Sequence, residues 1–114
     1  HDCGLVINPD QVRAQCEGTL VWSIGMVLID DLPVEDGFVT AQTFGDSPIP
    51  LFTDIPSIEV DLIENDRAPS GAGETVIVAG PGAIANAIRA ATGTRVTQFP
   101  VKSEDLAIEL RSGL

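Results

Sequence analysis

Asn8-Pro9-Asp10-Gln11-Val12-Arg13-Ala14-Gln15-Cys16-Glu17-Gly18-Thr19-Leu20 is the stretch on which the fold turns. Asn8 is a strong N-cap residue, Pro9 suits the first helical position, and Gln11 stands where a capping box wants a Glu or Gln. Val12, Cys16, Leu20, Ile24 and Leu28 follow at spacing four, which predicts a long helix with one apolar stripe. Gly18 and Gly25 lie on one face of it. Each costs about 1 kcal/mol relative to Ala inside a helix, so both are expected where a backbone or ligand comes close. Cys16 reads as a small buried hydrophobe. Trp22 and Met26 read as core or inter-domain contacts.

Working outward, Asp2 to Ile7 reads as the end of a strand before this helix, and Asp30-Asp31-Leu32-Pro33 ends it. Asp36-Gly37 is a hairpin turn signal. Phe38 to Phe44 is β-prone, with Val39, Ala41 and Thr43 on one face, and Asp46 to Pro56 is a proline-rich loop. Ser57 to Glu64 alternates, with Ile58, Val60 and Leu62 on one face and Glu59 and Asp61 on the other, as a half-buried strand does. Thr75 to Ala79 fits strand or extended linker. A second helix follows Pro81-Gly82 to about Thr92, with Ile84, Ala87, Ile88 and Ala91 inward and Gly93 as its stop. Arg95 to Phe99 reads as a short strand, and Ser103 caps a third helix. The expected fold is α+β, with three helices and short, mostly antiparallel strands in a single domain over 1–114.

Gly71-Ala72-Gly73-Glu74 delivers one carboxylate from a glycine loop, as a general base would be presented. Gly80-Pro81-Gly82-Ala83-Ile84-Ala85 fits the glycine pattern of a dinucleotide fingerprint. Against that, Gln98, Phe99 and Pro100 stand where the acid at the end of the next strand should be.

With 17 acidic and 6 basic residues, the net charge of −11 argues against nucleic acid or an anionic membrane as partner. No apolar run is long enough for a membrane span. Aromatics are only 4% of the chain, so its apolar 44% is mostly aliphatic, and it suggests surface buried against something else as well. Cys3 and Cys16 have no metal-ligand spacing, and two cysteines make no disulfide framework. A reducing compartment is the simpler reading, hence cytoplasmic, with the periplasm as the alternative. His1 is the only His, read as a frayed end, so catalytic triads and His-based zinc sites are set aside. It stands where a start Met would, which points to a chain trimmed or cut from a longer one.

Several blocks together resemble the C-terminal part of the large molybdopterin-binding subunit of the xanthine dehydrogenase/aldehyde oxidase family. They are Asp2-Cys3-Gly4, Ile7-Asn8-Pro9, Gln15-Cys16-Glu17-Gly18, Ile58-Glu59-Val60, Gly73-Glu74, Ala83-Ile84-Ala85-Asn86-Ala87-Ile88 and Ala91-Thr92-Gly93. Among subfamilies, the bacterial aldehyde and isoquinoline oxidoreductase-like enzymes are the nearest in pattern. The resemblance implies a molybdenum hydroxylase acting on an aldehyde or N-heterocycle, with electrons leaving through the pterin to iron–sulfur clusters. It implies Glu74 as general base, Gln15 as a contact to molybdopterin, and Gly73 in the site-forming loop. Thr19 stands where the family has a second glycine. The chain has no cysteine set for an iron–sulfur cluster. The expected partners are therefore the remainder of the molybdopterin-binding subunit and an iron–sulfur subunit, and the isolated chain is expected to hold no cofactor and be inactive. The alternative is a non-catalytic assembly or relic domain that forms a homo-oligomer.

Overall fold

A computed structural model describes residues 1–104 and 106. Helix α1 spans Pro9–Ile24 and begins as predicted: Asn8 Oδ1 accepts from the Gln11 N–H at 3.1 Å, with Pro9 in the first turn. It runs on into a π-helical turn, Gly25–Ile29, closed by the Asp30 N–H donating to the Gly25 carbonyl at 2.8 Å. Gly25 permits this close return, because a Cβ there would lie 2.8 Å from both Asp30 carboxylate oxygens. Strands β1 (Val34–Glu35) and β2 (Phe38–Val39) form an antiparallel hairpin, pairing Val34 with Val39 and Glu35 with Phe38. Asp36 and Gly37, with φ of 49° and 81°, supply the two positive values a type I′ turn needs. Helix α2 spans Gly80–Thr92 and stops at Gly93, which takes the left-handed conformation at φ 81°.

The class is α+β, and the described ladder is antiparallel. Two helices, rather than three, fall within the described residues; the third, predicted from Ser103, lies largely outside them. Other sequence expectations are corrected. Beyond Thr40, whose N–H still donates to the Pro33 carbonyl at 3.0 Å, the chain leaves the hairpin, because the Asp46 carboxylate collects the Gln42 N–H (3.2 Å) and the Thr43 N–H and hydroxyl (each 2.9 Å). Those bonds hold the Asp46 carboxyl below its ordinary pKa, the Thr43 hydroxyl contributing most. They also wind Phe44–Asp46 into a 3₁₀ turn. Residues 2–7, 57–64 and 95–99 form no strand, since among the described residues none acquires a ladder partner. The 57–64 segment still alternates as predicted, with Ile58, Val60 and Leu62 half-buried and Glu59 and Asp61 exposed.

The buried stripe of α1 differs from the predicted one. Cys16, Thr19, Ser23 and Val27 are buried, whereas Leu20 and Ile24 are half-buried and Leu28 is exposed. A strict spacing of four drifts around a helix of 3.6 residues per turn, while steps of three, four and four stay in line. The small side chains Thr19 and Ser23 let other elements approach. Gly80 packs so closely on Ser23 that a Cβ there would collide with Ser23 Oγ and lie 2.8 Å from Ser23 Cβ. On α2 the half-buried side is Ile84, Ala85, Ile88 and Thr92; Ala87 and Ala91 face solvent.

The core is small. Among the described residues, Cys3, Cys16 and Val27 are the buried apolar ones, while Phe44 and Phe52 are 100% and 98% exposed. Trp22 and Met26 are exposed too, so they belong to no core in this chain. The accessible surface is 8317 Å², against about 6,000 Å² for a compact 12.0 kDa monomer. The radius of gyration is 17.4 Å, against roughly 13 Å for a compact domain of this length.

Candidate functional site

The N-terminal turns of α1 form one wall of an open cleft of about 260 Å³. Asn8, Gln11, Val12 and Gln15 stand on that wall, with Ser70 and Gly73 opposite. Amides that both donate and accept, set beside an apolar floor, suit a flat heterocycle with mixed hydrogen-bonding edges.

Hydrogen bonds from α1 and from the N-terminal segment place the loop that faces Gln15. The Thr19 hydroxyl, buried at 5% exposure, lies 2.7 Å from the Gln15 carbonyl and 3.2 Å from the Gly73 carbonyl, bridging one helical turn to the loop. A side chain at Gly73 would begin 3.9 Å from Gln15 Nε2, so the candidate amide and the candidate glycine are neighbours. Further back, Gly4 adopts φ +76° under the Arg67 and Ala68 carbonyls, where any Cβ would clash. The Leu5 N–H donates to the Arg67 carbonyl (2.9 Å) and the Ser70 N–H to the Cys3 carbonyl (2.8 Å). Asp2 completes this clasp by accepting from the Gly4 N–H and Asn65 Nδ2, each at 3.0 Å, and by pairing with Arg67. Its carboxyl is held below the ordinary pKa, chiefly by the Gly4 N–H.

Glu74 follows Gly73 directly but stands apart from the cleft lining. It is exposed, its carbonyl accepts from the Ile77 N–H at 3.1 Å, and it opens the 3₁₀ turn Thr75–Val78. Its side chain has no hydrogen-bond partner among the described residues. The structure thus brings Gln15 and Gly73 together and leaves the Glu74 carboxylate in solvent within this chain.

His1 is not frayed. Its nitrogen donates to the Asp61 carbonyl and its carbonyl accepts from the Ile63 N–H, each at 2.8 Å, while Nδ1 lies 3.5 Å from the Thr75 hydroxyl. Cys3 and Cys16 are both buried and free, and burial pushes the Cys16 thiol upward. A Cβ at Gly18 would meet nothing within 4 Å, so of the two α1-face glycines expected at a close approach only Gly25 makes one. The dinucleotide reading fails on context: a 3₁₀ turn rather than a strand precedes α2, and Gly80 is packed on Ser23. On the sequence Thr19 is only a departure from a glycine, with no role assigned to its hydroxyl. A hydroxyl four residues beyond Gln15, where a second glycine is usual, was its only signal.

A family model described as a molybdopterin cofactor-binding domain matches residues 1–56. A nicotinate dehydrogenase chain of Pseudomonas putida is 36% identical over 105 residues, covering 91% of this chain and 9% of that protein. The isoquinoline 1-oxidoreductase subunit beta of Brevundimonas diminuta is 33% identical over 112 residues, covering 98% of this chain and 14% of that protein. The aldehyde oxidoreductase molybdenum-binding subunit of Escherichia coli is 31% identical over 115 residues, covering 94% of this chain and 16% of that protein. The chain thus spans between 9% and 16% of the length of these relatives. On these similarities the chain belongs to the molybdenum hydroxylase family, that of the xanthine dehydrogenases and aldehyde oxidases.

Proposed function

We propose that residues 1–114 form one unit of the molybdopterin-binding domain of a hydroxylase acting on an aldehyde or N-heterocycle. The observation that carries this reading is the Thr19 hydroxyl held between the Gln15 and Gly73 carbonyls, with Glu74 one residue further on. Both substrate classes occur in the names of the relatives: nicotinate and isoquinoline on one side, aldehyde on the other.

Molybdopterin, when bound, supplies the metal centre at which oxygen is inserted and the route by which electrons leave. Gln15 offers its amide to an edge of the pterin, since it can donate and accept there. Gly73 lets that edge approach without a side chain in the way. Glu74 would serve as the general base, its carboxylate accepting a proton during oxygen insertion. A positioned base is worth about 10²–10⁴-fold, or roughly 3–5 kcal/mol of barrier.

The isolated chain is inactive under this reading, because its cleft is open and Glu74 lies in water. The remainder of the molybdopterin-binding subunit would cover both, and an iron–sulfur subunit would accept the electrons. Such an enzyme would sit in the cytoplasm. A second reading, a chain that serves assembly alone through self-association, draws on the exposure of Phe44 and Phe52. Elemental analysis of the protein from its native host, with mass spectrometry of what co-purifies, separates the two. Molybdenum together with a larger partner chain is expected. No metal and no partner would overturn the hydroxylase reading and leave self-association.

A further inference from the structure

The segment from Ser57 to Leu62 carries the side-chain pattern of a strand without belonging to a sheet. Its side chains alternate, Ile58, Val60 and Leu62 turning partly inward and Glu59 and Asp61 outward. Apolar hollows shared with Leu20 flank it: Ile24, Ile84 and Ile58 line one, and Cys16, Val60 and Val76 the other. What it lacks is a ladder.

Backbone geometry shows which edge is open. In an extended strand, successive residues point their N–H and C=O groups to opposite edges. The Asp61 carbonyl and the Ile63 N–H both meet His1, each at 2.8 Å, the exchange that a parallel neighbour makes. Odd-numbered residues therefore face the His1 edge. The even-numbered residues Ile58, Val60 and Leu62 present their N–H and C=O groups to the other edge. Among the described residues, none of those groups has a backbone or side-chain partner. An open edge of this kind is a template for strand addition.

We propose that Ile58, Val60 and Leu62 take a β-strand from the remainder of the molybdopterin-binding subunit, one that sets Lys or Arg side chains beside Glu59 and Asp61. This rests on the family reading above. Two observations select that occupant. A second copy is disfavoured: an antiparallel self-pair centred on Val60 would oppose Glu59 to Asp61 in both directions, and each chain carries −11. The missing length is ample, since the chain spans only 9% to 16% of its relatives, and its 8317 Å² of accessible surface exceeds that of a compact monomer.

The test is amide hydrogen exchange, resolved by residue, on the isolated chain and on the complete enzyme. Exchange at Ile58, Val60 and Leu62 should be fast in the chain and slower by at least about a hundredfold in the enzyme, as for a segment moved from a frayed edge into a core strand. Fast exchange in both states would overturn the proposal. So would protection that appears in the isolated chain as its concentration rises, because that means self-pairing. A Val60→Pro variant, which removes one donor of the open edge, should lose association with the remainder of the subunit, whereas Val60→Thr, which keeps that donor and a branched side chain, should keep it. These readouts do not depend on metal content or on Glu74, so loss of the hydroxylase reading and loss of the strand pairing are told apart.

Discussion

Thr19 Oγ1 lies 3.2 Å from the Gly73 carbonyl while also reaching the Gln15 carbonyl at 2.7 Å, so one buried hydroxyl sets the distance between the helix and the glycine loop. Thr19→Val keeps the shape and removes the bond. It should cost about 0.5–1.5 kcal/mol in chemical denaturation, with faster exchange at Gly73 and Glu74. Thr19→Ser should restore most of both. An unchanged Gly73 exchange rate in the Val variant would show that the loop is held by other means.

The contact between α1 and α2 gives a paired prediction. Gly80→Ala should destabilise the chain by about 1–3 kcal/mol, because the new methyl meets Ser23. Ser23→Gly opens that space, leaving Leu20 Cδ2 at 3.9 Å as the nearest remaining neighbour. In the double variant the Gly80→Ala penalty should largely disappear, apart from the helix cost of the new glycine. Additive losses would mean that the two helices do not meet as described.

The Asp2 clasp should be pH-dependent in one direction. Asp2 has a folded-state pKa below its unfolded value, so its contribution is present above the ordinary carboxylate range and is lost as pH falls through the folded pKa. Exchange at Gly4, Leu5 and Ser70 should accelerate on acidification below that range. Asp2→Asn should flatten the response, and a wild-type profile in that variant would assign the acid sensitivity elsewhere.

In the complete enzyme, Glu74→Gln should lower turnover by about 10²–10⁴-fold with molybdenum content unchanged, since an amide cannot take the proton. Gln15→Ala should instead lower cofactor content. Near-normal turnover in the Glu74 variant would remove it as the base.

Much of the helical half could be read from the sequence because its signals are local. Asn8, Pro9 and Gln11 start α1, Asp36-Gly37 turns the hairpin, and Gly93 stops α2; each acts within a few residues of itself. The strands could not be read as far. Ser57 to Glu64 announces its two faces, but a strand also requires a neighbour, and the alternation does not say where that neighbour comes from. Of the three candidate site residues, Gln15 and Gly73 line one cleft, while Glu74 stands outside it. What joins the first two was not legible, because a threonine inside a helix gives little notice that its hydroxyl will leave its own turn.

The apolar surface around Phe44 and Phe52 has a consequence for handling the chain in solution. At neutral pH, eleven net negative charges keep copies apart although aromatic rings stand in water. Toward the isoelectric point near 4.1 that repulsion vanishes while the rings remain. Purification by acid precipitation, or crystallisation from acidic salts, would then select for stacking of these rings between molecules, and the lattice obtained would report colloidal stickiness instead of a biological assembly.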